Sequence, residues 1–247
     1  MSALGRRLSP GGSIEDRLGR LDWEGIGRSL DESGWCATAP LLTPAECGEL
    51  IALYGDDRRF RSRIDMERYR FGLGEYKYFA EPLPPVVAAL REKVYPRLVP
   101  IANQWAARLN GGGYRYPSDL ARFLAFCAEH GQKRPTPLLL RYGVGGYNCL
   151  HQDLYGEVAF PFQLTCVLSR RGADYTGGES VLVEQRPRAQ SRADVAVLEQ
   201  GEALIFTTRH RPVRGARGAY RVTLRHGVSR VRSGRRFSLG VIFHNAE

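Results

Sequence analysis

The chain has 247 residues, 43% of them hydrophobic, and no apolar run approaching 18 residues, which supports one sizeable core and excludes a transmembrane helix. Its net charge of +10 comes almost wholly from arginine, since only three of 36 basic residues are Lys (77, 93 and 133). The five cysteines (36, 47, 127, 149, 166) are odd in number and lack CxxC spacing, so they read as free, mostly buried thiols in a reducing cytoplasm rather than a disulfide framework. The first residues carry no apolar segment of the kind a signal peptide needs.

Residues 1–20 are rich in Gly and Arg and are expected to be a disordered tail. Trp23 to Leu30 reads as a helix and 34–39 as a short strand. Thr43-Pro44-Ala45-Glu46 is a capping-box signal that opens a helix to about Tyr54. Residues 60–79 are dense in aromatic and basic side chains, which suits either a lid or a surface that stacks bases and contacts phosphates. Within it Arg63, Tyr76, Lys77 and Tyr78 are candidate substrate contacts. Pro84 and Pro85 open an amphipathic helix to about Leu109, which Pro96 and Pro100 should kink or split before Gly111-Gly112-Gly113 ends it. Ser118 to His130 reads as a further helix capped by Ser118.

After Pro137 the pattern changes to strands, with spans 137–143, 146–153, 157–169, 179–185, 193–197, 203–208, 219–226 and 235–244. Eight such strands fit a double-stranded β-helix, a jelly-roll (cupin-like) barrel of an α+β chain. The predicted division is a tail (1–20), a mainly helical supporting layer (21–135) and a barrel core (136–247). Residues 209–220 read as an Arg-rich loop or hairpin at the cavity mouth. From Ala203 to Ala246 there is no Asp or Glu, whereas ten arginines, Arg221 among them, fall in that stretch. Such a patch can attract DNA or RNA through residues 209–225, although a GC-rich genome also produces arginine bias.

The chemistry is concentrated in two stretches, His151-Gln152-Asp153 and His226-Gly227-Val228 followed by Gly234-Arg235-Arg236-Phe237-Ser238. Two imidazoles and a carboxylate form the ligand set of a facial iron(II) site with open coordination positions. On a strand, residues i and i+2 share a face, so His151 and Asp153 point together, as do Arg236 and Ser238. Arg offers a planar fork to a carboxylate and Ser adds a hydroxyl. With 26 acidic residues among 247, His-x-acid arises by chance at about one His in ten, so the second stretch carries the specificity. His210, followed by Arg221 and Thr223, is a looser rival to His226 as the distal ligand. His130 suits a helix end and His244 a structural place or the barrel rim. Cys149 shares the parity of His151, with core filler as its expected role.

This arrangement resembles the 2-oxoglutarate- and Fe(II)-dependent oxygenases. Gly74–Phe79, Ala102–Trp105, His151–Gly156, Glu184–Arg188 and His226–Val231 are similar to a bacterial family of AlkB-like oxygenases predicted to act on nucleic acid. The resemblance implies that His151, Asp153 and His226 hold Fe(II). Arg236 and Ser238 then grip the distal carboxylate of 2-oxoglutarate, with Tyr142 as a third contact. It further implies that O2 oxidises the co-substrate to succinate and CO2 while a substrate C–H is hydroxylated. A hydroxylated N-methyl group collapses to formaldehyde and a demethylated nitrogen. An alkylated nucleic-acid base is the leading substrate class, and a small molecule or protein side chain the alternative.

Overall fold

A computed structural model of the protein describes residues 11–110, 115–216 and 218–247. The N-terminal part contains helices α1 (Ile14–Gly19), α2 (Trp23–Ser33), α3 (Pro44–Leu53), α4 (Pro85–Asn110) and α5 (Leu120–Glu129). Interleaved with them are strands β1 (Trp35–Ala37), β2 (Phe60–Asp65), β3 (Gly72–Leu73) and β4 (Glu75–Phe79). The rest is strand: β5 (Leu138–Tyr142), β6 (Tyr147–His151), β7 (Phe162–Val167), β8 (Tyr175–Gly177), β9 (Ser180–Gln185) and β10 (Arg192–Ala196). It closes with β11 (Ala203–Thr207), β12 (His210–Gly215), β13 (Gly218–Val228), β14 (Val231–Gly234) and β15 (Arg236–Ile242).

The eight expected strands are all present, as β5, β6, β7, β9, β10, β11, β13 and β15, and they fall into two antiparallel groups of four. One sheet holds β11-β7-β15-β5 as consecutive neighbours, and the other holds β10-β9-β13-β6. β1 is added to the first sheet beyond β11, and β4 then β2 beyond β5. The 157–169 span narrows to Phe162–Val167, and the Arg-rich stretch after 209 is a hairpin of β12 against β13. The small β8–β14 pair had no distinct sequence signal.

Four expectations change in the N-terminal half. Residues 1–10 lie outside the described residues, but 14–19 are helical where a tail was expected. Ser13 and Asp16 form a capping box, Ile14 and Leu18 are buried, and Arg17 grips Glu46 through two hydrogen bonds of 2.6 and 2.7 Å. The segment 21–135 is less helical than predicted, because β2 and β4 are recruited to the edge of the first sheet. α4 is not split: it runs through Pro96 and Pro100. Leu90, Val94, Leu98, Ala102 and Trp105 are fully buried or nearly so, before, between and after the prolines, and this packing offsets the roughly 3 kcal/mol that an interior proline costs. The predicted terminator, Gly111–Gly113, lies outside the described residues. α5 is capped by Asp119, not Ser118: the Asp119 carboxylate accepts the Arg122 N–H at 2.9 Å. His130 ends that helix as expected. No helix among the described residues is long and apolar enough to cross a membrane.

The helical layer is fastened to the strands by buried polar contacts. Arg91 of α4 donates to the carbonyls of Ile242 and Phe243 at 2.9 and 3.0 Å, where β15 ends. Next to them His244 is fully buried, and its Nδ1 accepts the Phe160 N–H at 3.1 Å. Burial pushes the imidazole pKa down to about 4. The folded value lies below the unfolded one of about 6.5, so the associated stability is present above pH 6.5 and is lost as pH falls toward 4. The expected contribution is about 3 kcal/mol over that window. Urea unfolding of the wild type and His244→Gln at pH 7 and pH 4.5 checks this. The variant should show much the weaker pH dependence, and equal slopes would assign the acid sensitivity elsewhere.

Candidate active site

A cavity of about 420 Å³ lies between the two sheets and is lined by residues of both. β13 runs antiparallel to β6 with His226 opposite His151, and the two imidazole centroids are 4.2 Å apart. Asp153 follows the end of β6. Its Oδ1 lies 3.4 Å from His151 Nε2 and its Oδ2 3.2 Å from His226 Nε2. The ligand atoms of all three lie within 4.8 Å of one another.

Each of the three is held from behind. His151 Nδ1 lies 2.8 Å from the Cys149 carbonyl, which fixes the proton there and leaves Nε2 facing Asp153. Asp153 accepts from the Tyr155 hydroxyl at 3.0 Å and the Gln163 amide at 2.8 Å. Gln163 Nε2 also lies 3.2 Å from His226 Nε2. Gln152, between the two first-stretch residues, turns aside and donates to the Leu224 carbonyl at 2.9 Å. Phe206 packs on the His226 ring with centroids 4.5 Å apart.

Burial opposes charge on Asp153, yet the neighbouring His226 and His151 hold its carboxyl well below the usual range. Burial also opposes a charged His151, but the hydrogen bond and charge of Asp153 outweigh it and raise its pKa. His226 lies deeper, and there burial dominates and lowers the pKa. An anionic oxygen between two imidazole nitrogens is a donor set that fits Fe(II).

A second cluster faces the same cavity from the first sheet. Arg236 opens β15 opposite Tyr142 of β5. It is 2% exposed, its Nη1 donates to Ser238 Oγ at 3.1 Å, and its Nε has no hydrogen-bond partner. The Tyr142 hydroxyl is buried without a partner too, and burial pushes this phenol up to about 12, keeping it a donor. A buried guanidinium normally carries a carboxylate, and none among the described residues pairs with Arg236. Gly178 leaves room for this side chain: at its φ of +66° any Cβ would stand 2.8 Å from Arg236 Cδ. A cation with a hydroxyl and a phenol, all short of acceptors, fits the far carboxylate of a diacid such as 2-oxoglutarate.

The other predicted residues separate by strand parity. Tyr76 lines the cavity. Lys77, one residue on, faces the other side, where its ammonium is buried against the Tyr54 carbonyl at 2.9 Å and Asp57 Oδ1 at 2.6 Å. Tyr78 is spent in packing with Leu138 and Ile242. Arg63, itself exposed, pairs with the buried Glu75. Arg221 and His210 line a neighbouring groove instead of the cavity, which removes His210 as rival to His226. His130 Nδ1 lies 2.9 Å from the Phe126 carbonyl of its own helix. Cys149 is exposed at the cavity wall rather than core filler, because β6 carries only β3 beside it at this edge. Gln163 and Tyr155 were missed. The only trace of Gln163 in sequence is a lone amide inside the apolar run Phe162–Leu164.

Residues 74–246 match an oxygenase family, Oxygenase-NA, described as catalysing oxidative methylation of damaged DNA. The chain belongs to this family. An uncharacterized protein of Mycobacterium tuberculosis, found in strains H37Rv and CDC 1551, is 51% identical over 168 residues, covering 68% of this chain and 72% of the relative. Among solved structures, the oxygenase is similar to a Trichoplax adhaerens prolyl hydroxylase in complex with a hypoxia-inducible-factor peptide. That match has a TM-score of 0.54 and 13% identity, over 92% of this chain and 88% of the other. A non-heme α-ketoglutarate-dependent epimerase from nogalamycin biosynthesis, SnoN, matches with a TM-score of 0.52 and 14% identity, over 88% and 80%. Helices and antiparallel sheets are therefore arranged as in the 2-oxoglutarate oxygenases. The protein is a 2-oxoglutarate-dependent Fe(II) dioxygenase, with Fe(II), 2-oxoglutarate and O2 as its cofactors.

Titration with Mn(II) as an iron surrogate tests the cluster without turnover. Asp153→Ala should abolish saturable binding, since it removes the only anionic donor. Tyr155→Phe, which removes only a hydrogen bond to that donor, should weaken binding by about 10- to 100-fold. Unaltered affinity in Asp153→Ala would place the metal elsewhere.

Proposed function

We propose that the protein oxidatively demethylates or hydroxylates alkylated nucleic-acid bases at the cavity between its two sheets. The observation that carries the oxidative half is the joint placement of the His151/Asp153/His226 cluster and the unpaired Arg236 in one cavity. The two groups of four strands are then the halves of a double-stranded β-helix. Residues 136–247 form the catalytic unit and the preceding segment its supporting layer.

Bound Fe(II), with 2-oxoglutarate and O2, supplies the oxidising power that ends in succinate, CO2 and a hydroxylated substrate carbon. His151, Asp153 and His226 hold the metal. Arg236 and Ser238 bind the far carboxylate of the co-substrate, and the Tyr142 hydroxyl donates to it. Tyr155 and Gln163 keep the Asp153 carboxylate turned inward. Leu204, Phe206 and Val228 line the cavity and exclude water.

Support for a nucleic-acid substrate comes from the family description and from the cavity mouth. Arg70 and Phe71 line the cavity, and Phe71 stacks on Tyr69 with centroids 5.6 Å apart and planes 20° apart. Both rings are exposed, Tyr69 by 49% and Phe71 by 46%. Arg70 holds a φ of 59°, a conformation that costs a non-glycine residue about 1–3 kcal/mol and is met mostly at functional sites. Exposed stacked rings beside a guanidinium are a surface on which a base can stack. Arg230, by contrast, donates to the Gly145 carbonyl and lies over the Tyr147 ring away from the cavity.

Formaldehyde release from methylated oligonucleotides tests the reading, with Asp153→Ala as the inactive control. Succinate formation driven by an amino acid, peptide or metabolite, with none driven by any methylated DNA or RNA, would instead establish the small-molecule or protein alternative. Arg236→Ala should raise the half-saturating 2-oxoglutarate concentration by roughly 10- to 150-fold, the equivalent of about 1.5–3 kcal/mol for a hydrogen bond to a charged group. An unchanged requirement would move the carboxylate anchor to another residue.

A further inference from the structure

Beside the cavity lies a second groove of about 430 Å³, bounded by the C-terminal half of α4 on one side and the β12–β13 hairpin on the other. Trp105, Leu109 and Tyr116 form an apolar wall, and Arg209, His210 and Arg221 the opposite one. No carboxylate lines it among the described residues. Two guanidinium groups and an imidazole thus share one wall of the groove. Their closeness is visible on His210, whose pKa is lowered by burial and then by the charges of Arg209 and Arg221. The Arg209 guanidinium pairs with no carboxylate among the described residues. Like charges gathered in this way repel one another, and an anion in the groove relieves the repulsion.

The groove is joined to the cavity. Leu154, next to Asp153, lines both. Gln152 donates to the Arg209 carbonyl at 3.2 Å and to the Leu224 carbonyl at 2.9 Å. The residue between the two first-stretch metal ligands therefore anchors the backbone that carries the basic wall. A polymer with one unit in the cavity presents its next unit to this groove.

We propose that the groove is a phosphodiester subsite, in which Arg209 and Arg221 hold the backbone phosphate adjoining the nucleotide whose base enters the cavity. This rests on the nucleic-acid reading given above. The apolar wall receives the sugar or base face of the neighbouring nucleotide, and the two guanidinium groups bind the phosphate oxygens. The subsite reads no sequence; it sets the register of the strand on the protein.

Binding of an unmodified fluorescent single-stranded oligonucleotide, followed by anisotropy across a KCl series, tests the proposal in the full chain. Each phosphate contact on a single strand contributes about 0.7 to the slope of log K against log salt. Arg209→Gln should lower the slope by about 0.7, and Arg209→Gln/Arg221→Gln by about 1.4. Arg214→Gln, an exposed position on the same hairpin but outside the groove, controls for net charge and should change it far less. Equal losses in the Arg209 and Arg214 variants, or no loss in either, would overturn the subsite. So would a wild type that binds an acidic peptide but no oligonucleotide. If the slopes change as expected while no methylated oligonucleotide yields formaldehyde, the subsite stands and the demethylation reading falls.

Discussion

The register of one strand pair governs the site. His226 faces His151 because β13 and β6 pair with those residues opposite each other. Side chains alternate along a strand, so a slip of one residue would turn His226 out of the cavity and bring Arg225 or Gly227 to its place. The register is secured on both edges of β13. On one side β9 pairs with it continuously from Thr223 opposite Gln185 to Val228 opposite Ser180. On the other, β3 clamps β6 through Gly72, where a Cβ would stand 2.3 Å from the Tyr147 carbonyl oxygen at a φ of +143°. Only glycine allows that approach.

What the register builds is electrostatically unbalanced on both walls of the cavity. One carries a buried carboxylate between two imidazoles; the other carries a buried guanidinium that no carboxylate among the described residues pairs with. Among the described residues the buried side-chain atoms without a partner are Tyr142 Oη, Gln163 Oε1, His226 Nδ1, Arg236 Nε and His244 Nε2. Four of these five belong to residues lining the cavity. An unmade hydrogen bond in a buried group costs about 1–3 kcal/mol, so this concentration is a local destabilisation that the rest of the fold must offset. A carboxylate bound at the second wall would supply acceptors to two of these atoms, Tyr142 Oη and Arg236 Nε.

Legibility followed locality. His151 and Asp153 are two apart, as are Arg236 and Ser238, and period-two geometry made both pairs readable, together with the eight strands that form the two groups of four. The cross-strand facts were not readable. Gln163 reaches Asp153 from a strand ten residues away, and nothing local distinguishes it from an ordinary polar strand residue. Lys77 was misread because alternation along β4 turns it to the face opposite Tyr76 and Tyr78, against Tyr54 and Asp57. Helix punctuation misled in the same way. Pro96 and Pro100 are breakers by their own chemistry, but the buried face of α4 outweighs them. His210 and Arg221 mimicked the ligand pattern because they sit on the hairpin that leads into β13, one turn short of the site.

The fold itself leaves the substrate open. At 13–14% identity the same arrangement is found in a protein hydroxylase and in an epimerase, so the shared strands position an oxidant without choosing what it meets. Choice must come from what surrounds them. Here two elements border the mouth: the β2–β4 segment, with Tyr69, Arg70 and Phe71, and the β12–β13 hairpin, with Arg209 and Arg221. Each is tied to the wall that carries His151, Asp153 and His226, the first by β3 pairing with β6 and the second by Gln152. A strand held by both would be aligned to the iron by backbone contacts before any base is read. Stacking and charge, which every nucleotide offers, would then supply the affinity, and the cavity walls would be left to distinguish an alkylated base from an intact one.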